Sequence, residues 1–134
     1  MLLNKATDYG MRVMVDLASQ PPTAKTVAGE IAERQQIPPA FLSKVLVRLR
    51  QANLVRTYRG ATGGAHLARL PEKINLLEAV EAMQGLIVLN ECNIEYPPCP
   101  LKGSCPISPI WREAKDNLED LLRRTTLADL LKTA

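Results

Sequence analysis

Three of the chain's seven glycines, Gly60, Gly63 and Gly64, fall within five residues. On one side stands Leu54-Val-Arg-Thr-Tyr58, on the other Ala65-His-Leu-Ala-Arg-Leu70. Two short strand-forming runs around a glycine-rich turn read as a β-hairpin, because glycine supplies the backbone angles that a tight reversal demands. Upstream the pattern is helical. Leu3 to Ala18 sets Tyr9, Met11, Val13, Met14, Val15, Leu17 and Ala18 at three- and four-residue spacing, and Pro21-Pro22 stops the run. Thr26 is positioned to cap a second helix reaching about Arg34, with Val27, Ile31 and Ala32 buried. After a turn at Gln35-Gln36-Ile37, Pro38-Pro39 opens a third helix, in whose first turn a missing N–H costs nothing. Its expected inward stripe is Phe41, Leu42, Val45, Leu46 and Leu49.

Three helices running into one hairpin predict a mostly α fold, with a winged helix-turn-helix domain over residues 1–71. In that plan the third helix enters the DNA major groove and the hairpin lies along the backbone or minor groove. The charge pattern points the same way. Between Lys44 and Arg69 lie six basic residues and no acidic one, whereas Glu72 to Glu95 carries five glutamates against Lys73. A basic half joined to an acidic half suits a nucleic-acid-binding module with a separate regulatory part, although charge alone would also suit a solvated surface. Ala40, Ser43 and Lys44, on the outer side of the third helix near its start, are expected to meet base edges. Arg48 and Arg50 are better placed for phosphates. Arg59 at the wing tip suits a narrow minor groove, with Gly63 and Gly64 allowing close backbone approach. The expected partner is double-stranded DNA.

Asn75-Leu-Leu-Glu78 is a capping box, so a fourth helix starts at Leu76 and ends near Gly85. Residues 72–108 then comprise this connecting helix and a loop holding every cysteine. Ser108-Pro109 supplies an N-cap and first-turn proline for a long helix, roughly Ile110 to Arg124. Its apolar positions Ile110, Trp111, Ala114, Leu118, Leu121 and Leu122 fall near heptad spacing. Such a stripe on a helix that follows a complete domain predicts pairing with a second copy, so residues 109–134 read as a long C-terminal dimerisation helix, with Thr126-Leu-Ala-Asp129 capping a last short helix.

The loop reads Cys92-Asn-Ile-Glu-Tyr-Pro-Pro-Cys99-Pro-Leu-Lys-Gly-Ser-Cys105, a C-x6-C-x5-C array. Three thiols cannot all pair within one chain. The C-x2-C pairs of a zinc ribbon are missing, and three thiolates leave a position open to a weaker ligand. A soft metal centre, an iron–sulfur cluster of two-iron or four-iron form or zinc, is expected here; oxidation of uncoordinated thiols is the alternative.

These residues, taken together, resemble the bacterial winged-helix iron–sulfur transcriptional regulators that include IscR, NsrR and RirA. The resemblance rests on Lys5-Ala-Thr-Asp-Tyr-Gly-Met-Arg12, on Ile31-Ala-Glu-Arg-Gln-Gln-Ile37 with Phe41-Leu42 and Leu46-x-x-Leu49, on Arg59-Gly-x-x-Gly-Gly64, and on the cysteine array leading into Trp111 and Thr126-Leu-Ala-Asp129. It spans essentially the whole chain. It implies a homodimeric transcription factor reading a palindromic operator, with a cluster between the DNA-binding part and the dimer helix. IscR-type members carry a histidine three residues after the third cysteine, where this chain has Ser108; its one histidine, His66, lies in the wing. NsrR-like members supply an aspartate from the first helix across the dimer, and Asp8 holds the matching place. The resemblance therefore implies metal ligands Cys92, Cys99, Cys105 and Asp8, and a sensor of nitric oxide, redox state or iron–sulfur status. An ordinary first-turn carboxylate, favoured by the helix dipole, is the other account of Asp8. The wing departs from many members at Thr62 and Ala65, which bears on the target sequence.

No run of apolar residues approaches the roughly 20 needed to span a bilayer. A reducing, cytoplasmic setting is expected from the unpaired thiols. No nucleophile–base pair, phosphate loop or paired carboxylates in apolar surroundings suggest an enzyme.

Overall fold

The computed structural model describes residues 3–61, 63–95 and 97–133; Thr62 lies outside them. Helix α1 (Lys5–Ala18) begins where the Asn4 side chain accepts from the Thr7 amide at 2.8 Å. Its inner face of Tyr9, Val13, Met14, Leu17 and Ala18 is the spine of the core. Helix α2 (Ala28–Gln35) carries Ile31 and Ala32 inward and ends on Gln36 in the left-handed conformation. Helix α3 (Pro39–Gln51) follows, burying Leu42, Val45 and Leu49.

The hairpin pairs β1 (Val55–Tyr58) with β2 (Gly64–Leu67), antiparallel, with Val55 opposite Leu67 and Tyr58 opposite Gly64. Val55, Ala65 and Leu67 face the core while Arg56 and Tyr58 face out, the alternation a half-buried strand requires. After a 3-10 turn (Pro71–Lys73), helix α4 (Leu76–Gln84) opens with the expected capping box: Glu78 N–H donates to Asn75 Oδ1 at 3.0 Å and Asn75 N–H to Glu78 Oε2 at 3.1 Å. Helix α5 (Ser108–Arg124) lays Leu118 and Leu122 on Leu77, Val80 and Ile87, forming a second, smaller cluster. Helix α6 (Leu127–Thr133) then returns to the main core. Leu127 is fully buried there, and Asn75 and Thr126 form an antiparallel bridge.

Four local expectations need correction. Thr26 does not cap α2: its N–H and C=O bond Ala65 at 2.8 Å each, so it adds a one-residue strand to the hairpin. That pairing turns Val27 outward, leaving it 52% exposed. Phe41 also lies outside the core, packing its ring against Tyr9 with centroids 6.1 Å apart. Ser108 is not the cap of α5 but its first residue, because the chain already turns through Cys105, whose carbonyl accepts from Ser108 N–H.

Candidate functional site

The outer face of α3 presents Ala40, Ser43, Lys44, Val47 and Arg50, all exposed, beside the hairpin. The helix is held in this pose from below by Leu42, Val45 and Leu49 and from the side by a brace on its helix-turn-helix partner. In that brace Arg34 grips Asp16 through two hydrogen bonds of 3.0 and 2.9 Å, Gln35 adds a third of 3.0 Å, and Arg12 donates to the Gln35 carbonyl. Sequence reasoning missed this brace because its partners lie 18 or more residues apart.

Arg48, expected among the phosphate contacts, directs one guanidinium N–H inward to the Met83 carbonyl at 2.6 Å. Arg59 is exposed at the wing tip. Gly63 and Gly64 have an internal reason to be glycine. A Cβ on Gly63 would lie 2.6 Å from the Tyr58 carbonyl, and one on Gly64, at φ +142°, 2.8 Å from the Thr26 carbonyl. His66 is built into the wing rather than aimed at a metal. Its Nδ1 donates to the Leu67 carbonyl at 2.8 Å, and its Nε2 hydrogen-bonds the Tyr58 hydroxyl at 2.9 Å. Lys25 sits 4.1 Å over the Tyr58 ring, adding a cation to the wing that the motifs did not reveal.

Cys92, Cys99 and Cys105 are free, half-buried, and line one small cavity with Leu101, Lys102 and Ser108. The backbone explains how they meet. Cys92 N–H is held by the Asn90 side chain at 3.0 Å, and the turns at Cys99–Lys102 and Leu101–Cys105 fold the remaining thiols back toward it. Next to this cavity Lys102, Arg112 and Lys115 line a groove with Cys92, Glu95 and Asp116. Among the described residues no three His, Cys, Asp or Glu side chains converge on a single ion. The donor set, three unpaired thiols around one cavity, fits an iron–sulfur cluster, whose thiolates are spread over several irons. Asp8 is exposed on the first turn of α1 and does not line the cysteine cavity of its own chain.

Comparison with known proteins agrees with the fold. Residues 3–133 match the Rrf2 family, described as an iron-dependent transcriptional regulator. The chain is 34% identical to the HTH-type transcriptional regulator NsrR of Bacillus subtilis over 133 residues, covering 98% of this chain and 91% of that one. It superposes on CymR, the global cysteine regulator of B. subtilis, with TM-score 0.83 and 25% identity, covering 100% and 98% of the two chains. On IscR of T. potens the TM-score is 0.79 at 28% identity, covering 99% and 88%. No described helix is long and apolar enough to cross a membrane. The winged helix-turn-helix fold, the basic α3–hairpin face and this match over nearly every residue lead to one conclusion: the chain belongs to the Rrf2 family of DNA-binding transcriptional regulators, which are not enzymes.

Proposed function

We propose that this chain is a homodimeric regulator of palindromic operators whose cysteine loop holds an iron–sulfur cluster, with DNA affinity set by the state of that loop. The observation that carries the reading is the meeting of Cys92, Cys99 and Cys105, all free, around one cavity. Bound there, the cluster would supply iron that reacts with nitric oxide or oxygen. Lys102 and Arg112 stand beside the thiols in a groove of mixed charge, where Lys115 is already paired with Glu119 at 3.1 Å. Asp8, exposed and outside its own chain's cavity, is available as the oxygen ligand of a second copy. On the DNA side, Ala40, Ser43 and Lys44 read base edges, Arg50 and Lys25 hold phosphates, and Arg59 enters the minor groove. A regulator that binds the bacterial chromosome works in the cytoplasm, and this reading places the chain there.

A second reading, a cluster-free thiol switch, is favoured by the half exposure of the same three thiols and by the likeness to a cysteine regulator. Visible absorption of anaerobically reconstituted protein separates the two. The cluster reading expects charge-transfer bands that disappear in Cys92→Ala, Cys99→Ala and Cys105→Ala and persist with altered decay in Asp8→Ala. A colourless protein whose thiols oxidise to a disulfide would replace it with the switch.

A further inference from the structure

Three separate contacts fix the end of α4, upstream of the cysteine loop. Met83 is 1% exposed, and its Cγ and Sδ sit 2.6 and 2.9 Å from where a Cβ on Gly10 of α1 would be, so the side chain fills a notch cut for it. Gln84 Oε1 accepts from the Thr7 hydroxyl at 2.6 Å and from the Asn4 amide at 3.2 Å. The Met83 carbonyl accepts from Arg48 of α3 at 2.6 Å. Gly85 then breaks the helix at φ +83°, and the chain runs through the buried Ile87 to Cys92.

We propose that Arg48 is a positioning residue that couples the cysteine loop to the DNA-reading helix through the Met83 carbonyl. The carbonyls of a helix's last turn have no partner within the helix and carry negative partial charge, so a guanidinium is the donor best suited to them. Arg48 lies one turn beyond Lys44 on α3, so the bond ties the reading helix directly to the α4 terminus. A hydrogen bond tolerates only a few tenths of an ångström of change before it weakens. Rearrangement of the loop that draws on Gly85 therefore moves the carbonyl and releases α3 within one protomer, without any change in the spacing of two subunits. This coupling rests on the proposal that the loop changes state.

The test uses full-length wild type, Arg48→Ala and Arg48→Lys, each reconstituted with iron and sulfide and each alkylated with iodoacetamide. The probe is a duplex selected from a random pool for wild-type binding, titrated at several salt concentrations. Wild type is expected to bind differently in the two states. In Arg48→Ala that ratio should narrow about tenfold, the factor a hydrogen bond from a charged donor is worth, with an unchanged salt slope. Arg48→Lys should restore most of it. Equal weakening of both states with a salt slope smaller by about one would make Arg48 a phosphate contact and overturn the proposal. An unchanged ratio also overturns it. If wild type binds alike in both states, the sensing reading falls, and amide chemical shifts of cluster-free Arg48→Ala decide the coupling alone. Changes reaching Gln84–Leu89 support it; changes confined to α3 overturn it. Should Arg48→Ala unfold, Arg48→Gln takes its place.

Discussion

Asp16 is 4% exposed on the inner side of α1, and its charge is kept because three side-chain hydrogen bonds surround it. Burial pushes its carboxyl up, but the bonds from Arg34 and Gln35 and the attraction of Arg34 outweigh that and hold it below the usual carboxylate range. A folded-state value below the unfolded one means the unfolded chain binds the proton more readily. The stabilisation is thus present above the unfolded carboxylate value near pH 3.9 and is lost as pH falls through the folded one. Asp16→Asn keeps the shape but removes the charge from a donor pair built for it. We expect about 1–3 kcal/mol of lost stability at pH 7, read by urea melts, shrinking toward zero below about pH 4. Melts of the two proteins that stay parallel down to pH 3 would mean that Asp16 contributes shape and no charge.

At the scale of elements, α1 and α4 approach closely because Gly10 has no side chain. Alanine there would gain about 1 kcal/mol of helix propensity in an isolated helix. In this fold its Cβ would meet Met83 Cγ at 2.6 Å, a clash near the root of a fully buried side chain. Gly10→Ala is therefore expected to lower stability by about 1–3 kcal/mol in thermal melts and not raise it. Much of the element plan was legible beforehand. Apolar spacing, Pro38-Pro39 and two Asx- or Thr-type capping boxes located the helices, and Asp129 indeed accepts from Thr126 N–H at 2.9 Å. The glycine cluster located the hairpin. Three of the four misses share one cause: local propensity speaks for Thr26, Val27 and Phe41, while their fate is set by Ala65 and Tyr9, distant in sequence. The meeting of three cysteines was legible from their crowding on one loop. The inward turn of Arg48 was not, since an arginine on a helix flank carries no local sign of a carbonyl arriving from another helix.

At the scale of the molecule, α5 buries Leu118 and Leu122 against α4 yet leaves Ile110 53%, Trp111 38% and Leu121 49% exposed. A stripe of this kind on one long helix matches the dimer contact we propose. Leu121→Glu is expected to leave far-ultraviolet circular dichroism unchanged while weakening self-association by about 2–4 kcal/mol, the scale of a buried anchor at an interface. Light scattering would show dimer giving way to monomer; a dimer that persists at nanomolar concentration would move the contact to another face. The return of Leu127 to the main core has its own effect on how the protein is made. Synthesis completes α1, α2, α3 and the hairpin well before residue 127 emerges, yet the hydrophobic interior of those elements stays open at the place Leu127 fills. The DNA-reading part thus cannot seal its core until residue 127 has emerged, and a ribosome that stalls in the cysteine loop yields a regulator with an unsealed core.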